Sequence, residues 1–341
     1  MNLLRGPFIL GALICLTSPA LAVAPEKMKA IVLHEYGGLD KLRYEDAPRP
    51  EPKDDEVLIR VMAASVNPVD AAVRSGKFVK YFNTKLPLVP GMDAAGVIEK
   101  VGAKISKFKV GDPVYTFFTL KEEGGYAQFA VAKELEVSRK PQSLTFEQAA
   151  AVPAAGSTAW QALVDEGRLD YGQTVLIHGG SGGVGHMAIQ IAKARGAHVI
   201  ATASTANQDF LKQLGVDQAI DYTTTKFEDV AKDVDLVLDA VGGDTLTRSY
   251  GVVKKDGIII SIAGNLDDSA LKKHGIRGVS ISAAPETDTF DQLTRLIEGK
   301  KLTPLVSQTF PLQEAAKAQE QIQTRHTRGK IVLQIPQETK S

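Results

Sequence analysis

The chain has 341 residues, 44% of them hydrophobic and 23% charged, enough for two domains that each bury a core. Forty basic residues stand against forty acidic ones, so there is no electrostatic footprint for nucleic acid, and a small-molecule partner is expected. The first 22 residues carry one charged side chain, Arg5, ahead of an apolar run from Pro7 to Leu16. Ala20-Leu21-Ala22 then has the small-x-small form of a secretory cleavage site. The apolar run is short for a membrane span of about 20 residues. Cleavage after Ala22 and export to the periplasm are therefore expected, with no stable membrane span. Cleavage would remove Cys15, the only cysteine, and leave a mature chain without disulfides or Cys-ligated metal.

From Lys29 onward the signals are β-type. Strands are expected at 30–33, 56–61, 94–101, 114–118 and 126–131, with turns at Gly91 and Gly111-Asp112-Pro113. Near Phe146 the pattern changes to Ala-rich helical segments at 146–151 and 157–166. Strands and helices then alternate: strands at 174–178, 198–202, 235–240 and 257–262, with helices between them and another over 287–298. That alternation predicts βαβ units and a parallel sheet.

The strand Val175-Leu176-Ile177-His178 runs straight into Gly179-Gly180-Ser181-Gly182-Gly183-Val184-Gly185, followed by an apolar helical segment. Gly180, Gly182 and Gly185 have the G-x-G-x-x-G spacing of a dinucleotide-binding turn. The first glycine would permit the tight turn, the second backbone approach to a pyrophosphate, and the third close helix–strand packing. Ser181, Gly183 and Val184 complete a loop whose N–H groups would face the phosphates.

Several further motifs occur in a fixed order: Ser65-Val66-Asn67-Pro68-Val69-Asp70, Pro90-Gly91-Met92-Asp93, Gly124-Gly125-Tyr126-Ala127, Ala155-Gly156-Ser157-Thr158, Ile220-Asp221-Tyr222, Asp239-Ala240-Val241-Gly242-Gly243 and Arg328-Gly329-Lys330. Together with the glycine turn, this set resembles the medium-chain dehydrogenases/reductases, in their zinc-independent, quinone oxidoreductase-like branch. The resemblance implies an α/β architecture in which a doubly wound parallel Rossmann sheet is inserted in a GroES-like antiparallel β domain. It divides the chain into a GroES-like catalytic domain (27–150), a Rossmann NADP-binding domain (151–290) and a return to the catalytic domain (291–336). Homodimerisation through sheet edges is common in the family.

Relative to the zinc branch, Asn67 stands where a cysteine is usual and Met92-Asp93 where a His-Glu pair is usual. Asn and Met do not supply the charged ligand set of a catalytic zinc, so no metal site is expected.

The second strand of the parallel sheet ends in Ala203-Ser204-Thr205-Ala206-Asn207, with no carboxylate to hold a ribose 2′-OH. Hydroxyls and an amide can donate to a 2′-phosphate, so NADP(H) is the expected cofactor. Ser204, Thr205 and Asn207 are the candidates, and Tyr222 resembles the family's adenosine-side tyrosine. Many NADP-preferring relatives carry a Lys or Arg in this loop; here the nearest in sequence is Lys212, with Arg328 and Lys330 as charges from the C-terminal segment. Val241, Gly242 and Gly243 end a parallel strand and would border the cofactor. Thr158 resembles a residue beside the nicotinamide, or is a helix N-terminal hydroxyl.

Without a Lewis acid, the feasible acceptors spread the developing charge themselves: a quinone, or a carbon–carbon double bond conjugated to a carbonyl. Asn67 would donate a hydrogen bond to the acceptor oxygen. Asp70 lines the cleft or braces its loop; Tyr81 and Tyr126 are candidate proton donors or packing tyrosines. The resulting expectation is an NADPH-dependent quinone or enone oxidoreductase. The alternative is an exported NADP(H)-binding protein with a structural or sensing role and little turnover.

Overall fold

The computed structural model describes residues 26–79, 84–119 and 124–337. The expected export segment 1–22 and Tyr81 lie outside the described residues.

Two sheets organise the chain. A hairpin of β1 (Lys27–Leu33) and β2 (Leu42–Pro48) is followed by β3 (Glu56–Val66), β4 (Asp93–Val101), β5 (Pro113–Phe117), β6 (Phe129–Lys133) and β7 (Val137–Arg139). The next six strands are β8 (Thr174–His178), β9 (His198–Ala203), β10 (Gln218–Asp221), β11 (Val234–Asp239), β12 (Val253–Ser261) and β13 (Arg277–Ser280). They form a parallel sheet in the order β10-β9-β8-β11-β12-β13. This is the doubly wound order whose switch point lies between the first and fourth strands, here β8 and β11. Their cores are unbroken apolar runs, such as Val175-Leu176-Ile177 with no exposed surface, because both faces are covered.

The chain then returns to the first sheet. β14 (Val306–Pro311) pairs with β15 (Lys330–Gln334), and β15 lies antiparallel beside β3. The resulting order is β14-β15-β3-β4-β5-β7, with β6 also on β3. One apolar cluster runs from Ala63, Tyr115 and Phe117 of the first sheet through Ala154 and Ala155 to Val175 and Ile177 of the second.

The helices that position the site are α1 (Pro68–Arg74), α2 (Phe146–Ala150), α3 (Pro153–Trp160) and α4 (Gly185–Ala194). Helix α1, which the hydrophobic pattern did not reveal, starts with Asn67 as N-cap, Pro68 at the first helical position and Asp70 bonding back to the Asn67 N–H. Beyond α3 the chain makes a π-helical segment, Gln161–Glu166. Among the described residues no helix is long and apolar enough to cross a membrane.

Candidate active site

The glycine turn joins β8 to α4 at the carboxyl edge of the parallel sheet. The left-handed residue of the tight turn is Gly179, with φ of 71°, rather than Gly180, to which the spacing had assigned that role. Gly185 is where helix and strand come closest: a Cβ there would stand 2.1 Å from the Gly179 carbonyl oxygen. At Gly182 the crowding is milder, an added Cβ meeting the same oxygen at 3.3 Å, a tight contact that a shift of a few tenths of an ångström would relieve. Among the described residues the N–H groups of Ser181, Gly183 and Val184 bond to no other backbone group. They are half-buried donors at the head of a helix, a fit for pyrophosphate oxygens.

Two contacts staple this turn to the returning C-terminal segment. Gly329 N–H donates to the Ser181 carbonyl at 2.8 Å. His186 Nε2 accepts from Leu305 N–H at 3.1 Å, which leaves Nδ1 to donate to the Gly182 carbonyl at 2.8 Å. Burial holds His186 neutral and lowers its pKa to about 4.

At the end of β9 the candidate residues form a connected set. Asn207 Nδ2 donates to Ser204 Oγ at 3.1 Å, and Asn207 Oδ1 accepts from Arg328 Nε at 2.6 Å. Arg328 also donates to the Ala206 carbonyl at 2.7 Å and lies over the Phe210 ring. The cation missing from this loop in sequence is thus supplied by Arg328, whereas Lys212 pairs with Asp209. Thr205 is not a free donor as expected: its hydroxyl bonds to Asp221 Oδ2 at 2.6 Å. Asp221, at the end of the neighbouring β10, is a carboxylate that the strand-end reading missed. Hydrogen bonds from the Thr205 and Thr223 hydroxyls hold it below the usual carboxylate range. Tyr222 is exposed beside it.

Val241, Gly242 and Gly243 follow β11 next to the glycine turn; a Cβ on Gly179 would meet Val241 Cγ2 at 3.5 Å. Asp239, fully buried, accepts from Val241 N–H at 3.1 Å and Gly242 N–H at 2.9 Å and fixes this rim. Thr158 lies on α3, its hydroxyl donating to the Ala154 carbonyl one turn back at 2.7 Å.

Beneath the turn lies a buried polar network built on the ends of β3, β4 and β15. Asp93 Oδ2 accepts from Ser65 Oγ at 2.7 Å and Asn67 Nδ2 at 2.8 Å, while its Oδ1 takes the Ala154 N–H at the start of α3. Lys330 Nζ donates to Asn67 Oδ1 and stands 3.6 Å from Asp93 Oδ2. Burial pulls the Lys330 ammonium below the usual lysine range, against the pull of Asp93 and Asp70. Asp93 and Lys330 both lie in motifs of the sequence, but Lys330, expected as a charge near the 2′-phosphate, instead sends its buried ammonium to Asn67 and Asp93.

Asp70 and Tyr126 are packed inside the protein, the placement of a loop brace and a packing tyrosine among the readings the sequence left open. Both are fully buried, and Tyr126 donates its phenolic proton to Asp70 Oδ2 at 3.0 Å. Asp70 also accepts from Asn67 N–H at 2.8 Å and Met92 N–H at 3.1 Å, so it braces the loop that carries Asn67. Burial first, and the neighbouring Asp93 charge, raise Asp70 to about 7 despite these donors. Burial and the Asp70 charge raise Tyr126 well above the usual phenol range.

The residues do not fit a zinc ion. Asn67 is committed on both sides to Lys330 and Asp93, Met92 offers a thioether, and the cation beside them is an ammonium. Among the described residues no three His, Cys, Asp or Glu side chains gather as metal ligands.

Residues 53–142 match the alcohol dehydrogenase GroES-like domain, and residues 214–333 match the zinc-binding dehydrogenase domain. The chain is 38% identical to an NADPH-dependent alkenal/one oxidoreductase of Arabidopsis thaliana, over 92% of this chain and 81% of that one. It is 34% identical to the quinone oxidoreductase of Sus scrofa, over 92% of this chain and 99% of that one. The solved quinone oxidoreductase of Coxiella burnetii superposes with a TM-score of 0.85 at 35% identity, covering 91% of this chain and all (100%) of that one. A mycobacterial protein solved with NADPH superposes with a TM-score of 0.81 at 29% identity, covering 90% of this chain and 99% of that one. With its GroES-like sheet, its inserted Rossmann sheet and relatives at this identity over nearly its whole length, the chain belongs to the medium-chain dehydrogenase/reductase superfamily, among the quinone oxidoreductase-like proteins.

Proposed function

We propose that this chain is an NADPH-dependent oxidoreductase that reduces quinones or α,β-unsaturated carbonyls without zinc. The observation that carries this reading is the junction at Gly183. The stem of Lys330 lies against the phosphate-binding turn there, and the same side chain ends on Asn67, so the cofactor cradle and the buried polar network share one side chain. Relatives named for alkenal/one and quinone reduction support the acceptor class.

NADPH, when bound, supplies the hydride. The N–H groups of Ser181, Gly183 and Val184 would hold its pyrophosphate, with Gly185 permitting the close approach of helix and strand. Arg328 and the hydroxyl of Ser204 would take the 2′-phosphate, since Asn207 is oriented between them. Asn67 would donate to the acceptor oxygen as negative charge builds there; a conjugated acceptor delocalises the rest, and solvent returns a proton, to the α-carbon of an enone or to the oxygen of a quinone.

The segment 1–22 supports export with cleavage after Ala22. The edge strand β13, unpaired on its outer side among the described residues, supports a homodimer joined edge to edge. The test of the central reading uses the chain without residues 1–22, mixed with NADPH and then with 1,4-benzoquinone or an enone. Loss of nicotinamide absorbance only when acceptor is present is the expected result. Tight NADPH binding with no acceptor-dependent oxidation would leave the binding-module reading in its place.

A further inference from the structure

Lys330 is the one buried lysine among the described residues, 3% exposed at the start of β15. Its backbone is tied down on both sides: its N–H donates to the Leu305 carbonyl at 2.8 Å, and its carbonyl accepts from Ser307 Oγ at 3.2 Å. From there the stem passes Gly183, where an added Cβ would stand 2.9 Å from its Cδ. The ammonium ends between Asn67 Oδ1 and Asp93 Oδ2. Taking a charge this deep into protein is costly, and a lysine placed only to fill space could be replaced by an apolar side chain of its volume.

The consequence falls on Asn67. Its carboxamide has two faces that differ in chemistry, and here each is dictated by a charge. Oδ1 faces the Lys330 ammonium and Nδ2 faces the Asp93 carboxylate at 2.8 Å. Reversing the amide would aim N–H groups at an ammonium and an oxygen at a carboxylate, two repulsions in a low-dielectric site. One Nδ2 hydrogen and one Oδ1 lone pair are left over. Asn67 is also anchored through its backbone, because its N–H donates to Asp70 Oδ2. The remaining exposure of Asn67 is 7%, so its free hydrogen has few places to go.

We propose that Lys330 is a positioning residue for the reaction: by holding Asn67 Oδ1, it fixes the amide so that the free Nδ2 hydrogen is presented to the acceptor's carbonyl or quinone oxygen. This rests on the donor role given to Asn67 above. Because the Lys330 stem also lies against Gly183, the same residue couples the phosphate turn to the orientation of the donor.

The experiment is a double-mutant cycle of Asn67→Ala, Lys330→Met and the pair, in the chain without residues 1–22. The readouts are kcat with an enone and the Kd for NADPH. Asn67→Ala is expected to lower kcat by roughly 10- to 100-fold, the range of a single lost oxyanion donor or somewhat below it. Lys330→Met is expected to lower kcat similarly, with NADPH affinity kept, since the methionine stem still covers Gly183. The pair should be no worse than the poorer single variant, because both remove one interaction. Losses that multiply would overturn the proposal, since Lys330 would then act independently of Asn67. Normal kcat in Asn67→Ala would remove the donor role itself and the proposal with it. Should Lys330→Met fail to fold, Lys330→Gln keeps an N–H for Asn67 and is expected to retain more activity than Asn67→Ala; equal or lower activity would count against the proposal.

Discussion

The guanidinium of Arg328 donates to Oδ1 of Asn207 at 2.6 Å, across 121 residues of sequence, and so plants a positive charge at the end of the second strand of the parallel sheet. Replacing Arg328 with Gln should therefore weaken NADPH binding by about tenfold, roughly 1.4 kcal/mol, and leave NADH binding nearly unchanged. Fluorescence titration of both nucleotides reads the ratio. Equal losses for the two would mean that Arg328 shapes the loop without meeting the phosphate.

The glycine turn makes a contrast between two positions. Gly185→Ala forces a Cβ to 2.1 Å from the Gly179 oxygen, and Gly182→Ala meets the same oxygen at 3.3 Å. Gly185→Ala should lower stability by about 2 kcal/mol or more through helix–strand separation. Gly182→Ala should stay within about 1 kcal/mol in stability while losing NADPH affinity, because it narrows the approach to the pyrophosphate. Urea melts and nucleotide titrations on both variants separate the two effects.

Tyr126 and Asp70 form a buried brace, so Tyr126→Phe should cost about 1–2 kcal/mol of stability with little change in kcat. A kcat reduced 100-fold in a well-folded Tyr126→Phe protein would restore Tyr126 as a proton donor.

Acid stability follows from three buried groups. Burial lowers both His178 and His186 from 6.5 to about 4, and each therefore binds its proton more readily in the unfolded chain. Their contribution is present above pH 6.5 and is lost as pH falls toward 4, on the order of 3 kcal/mol for each. Asp70 is raised from 3.8 to about 7, so its sign is opposite: its contribution is full below 3.8 and is lost as pH rises through 7. Two histidines at about 3 kcal/mol each against one aspartate at about 4 kcal/mol leave a net loss on full acidification of roughly 2 kcal/mol from these groups. Denaturant melts should show little change between pH 7 and 6 and a loss of about 1 kcal/mol between pH 6 and 5; stability that rises between pH 6 and 5 would contradict this assignment.

Much of the architecture was legible because its signals are local. The β8 strand, the glycine turn and α4 follow one another within a few residues, and the apolar runs of β11 and β12 mark a sheet covered on both faces. The short strands β10 (Gln218–Asp221) and β13 (Arg277–Ser280) escaped notice because they sit at the sheet's two edges, where polar residues are tolerated. In the site, Asn67, the turn and the Arg328-Gly329-Lys330 segment could be found from motifs, whereas the partners of Lys330 and Arg328 could not, lying 263 and 121 positions away. Nor could spacing show that the Thr205 hydroxyl would be consumed by Asp221, or that Tyr126 would face inward. Those outcomes depend on which strands lie side by side, and the sequence carries no local trace of that.

The most direct measurement follows the hydride itself. An enone is reduced with NADPH carrying deuterium on the transferable position of nicotinamide carbon 4, in the presence of a zinc chelator, and the product is read by NMR. Deuterium on the β-carbon, with the rate unaffected by the chelator, is the predicted result. A product without deuterium at that carbon, or a reaction abolished by the chelator, would contradict hydride transfer in a zinc-free cleft.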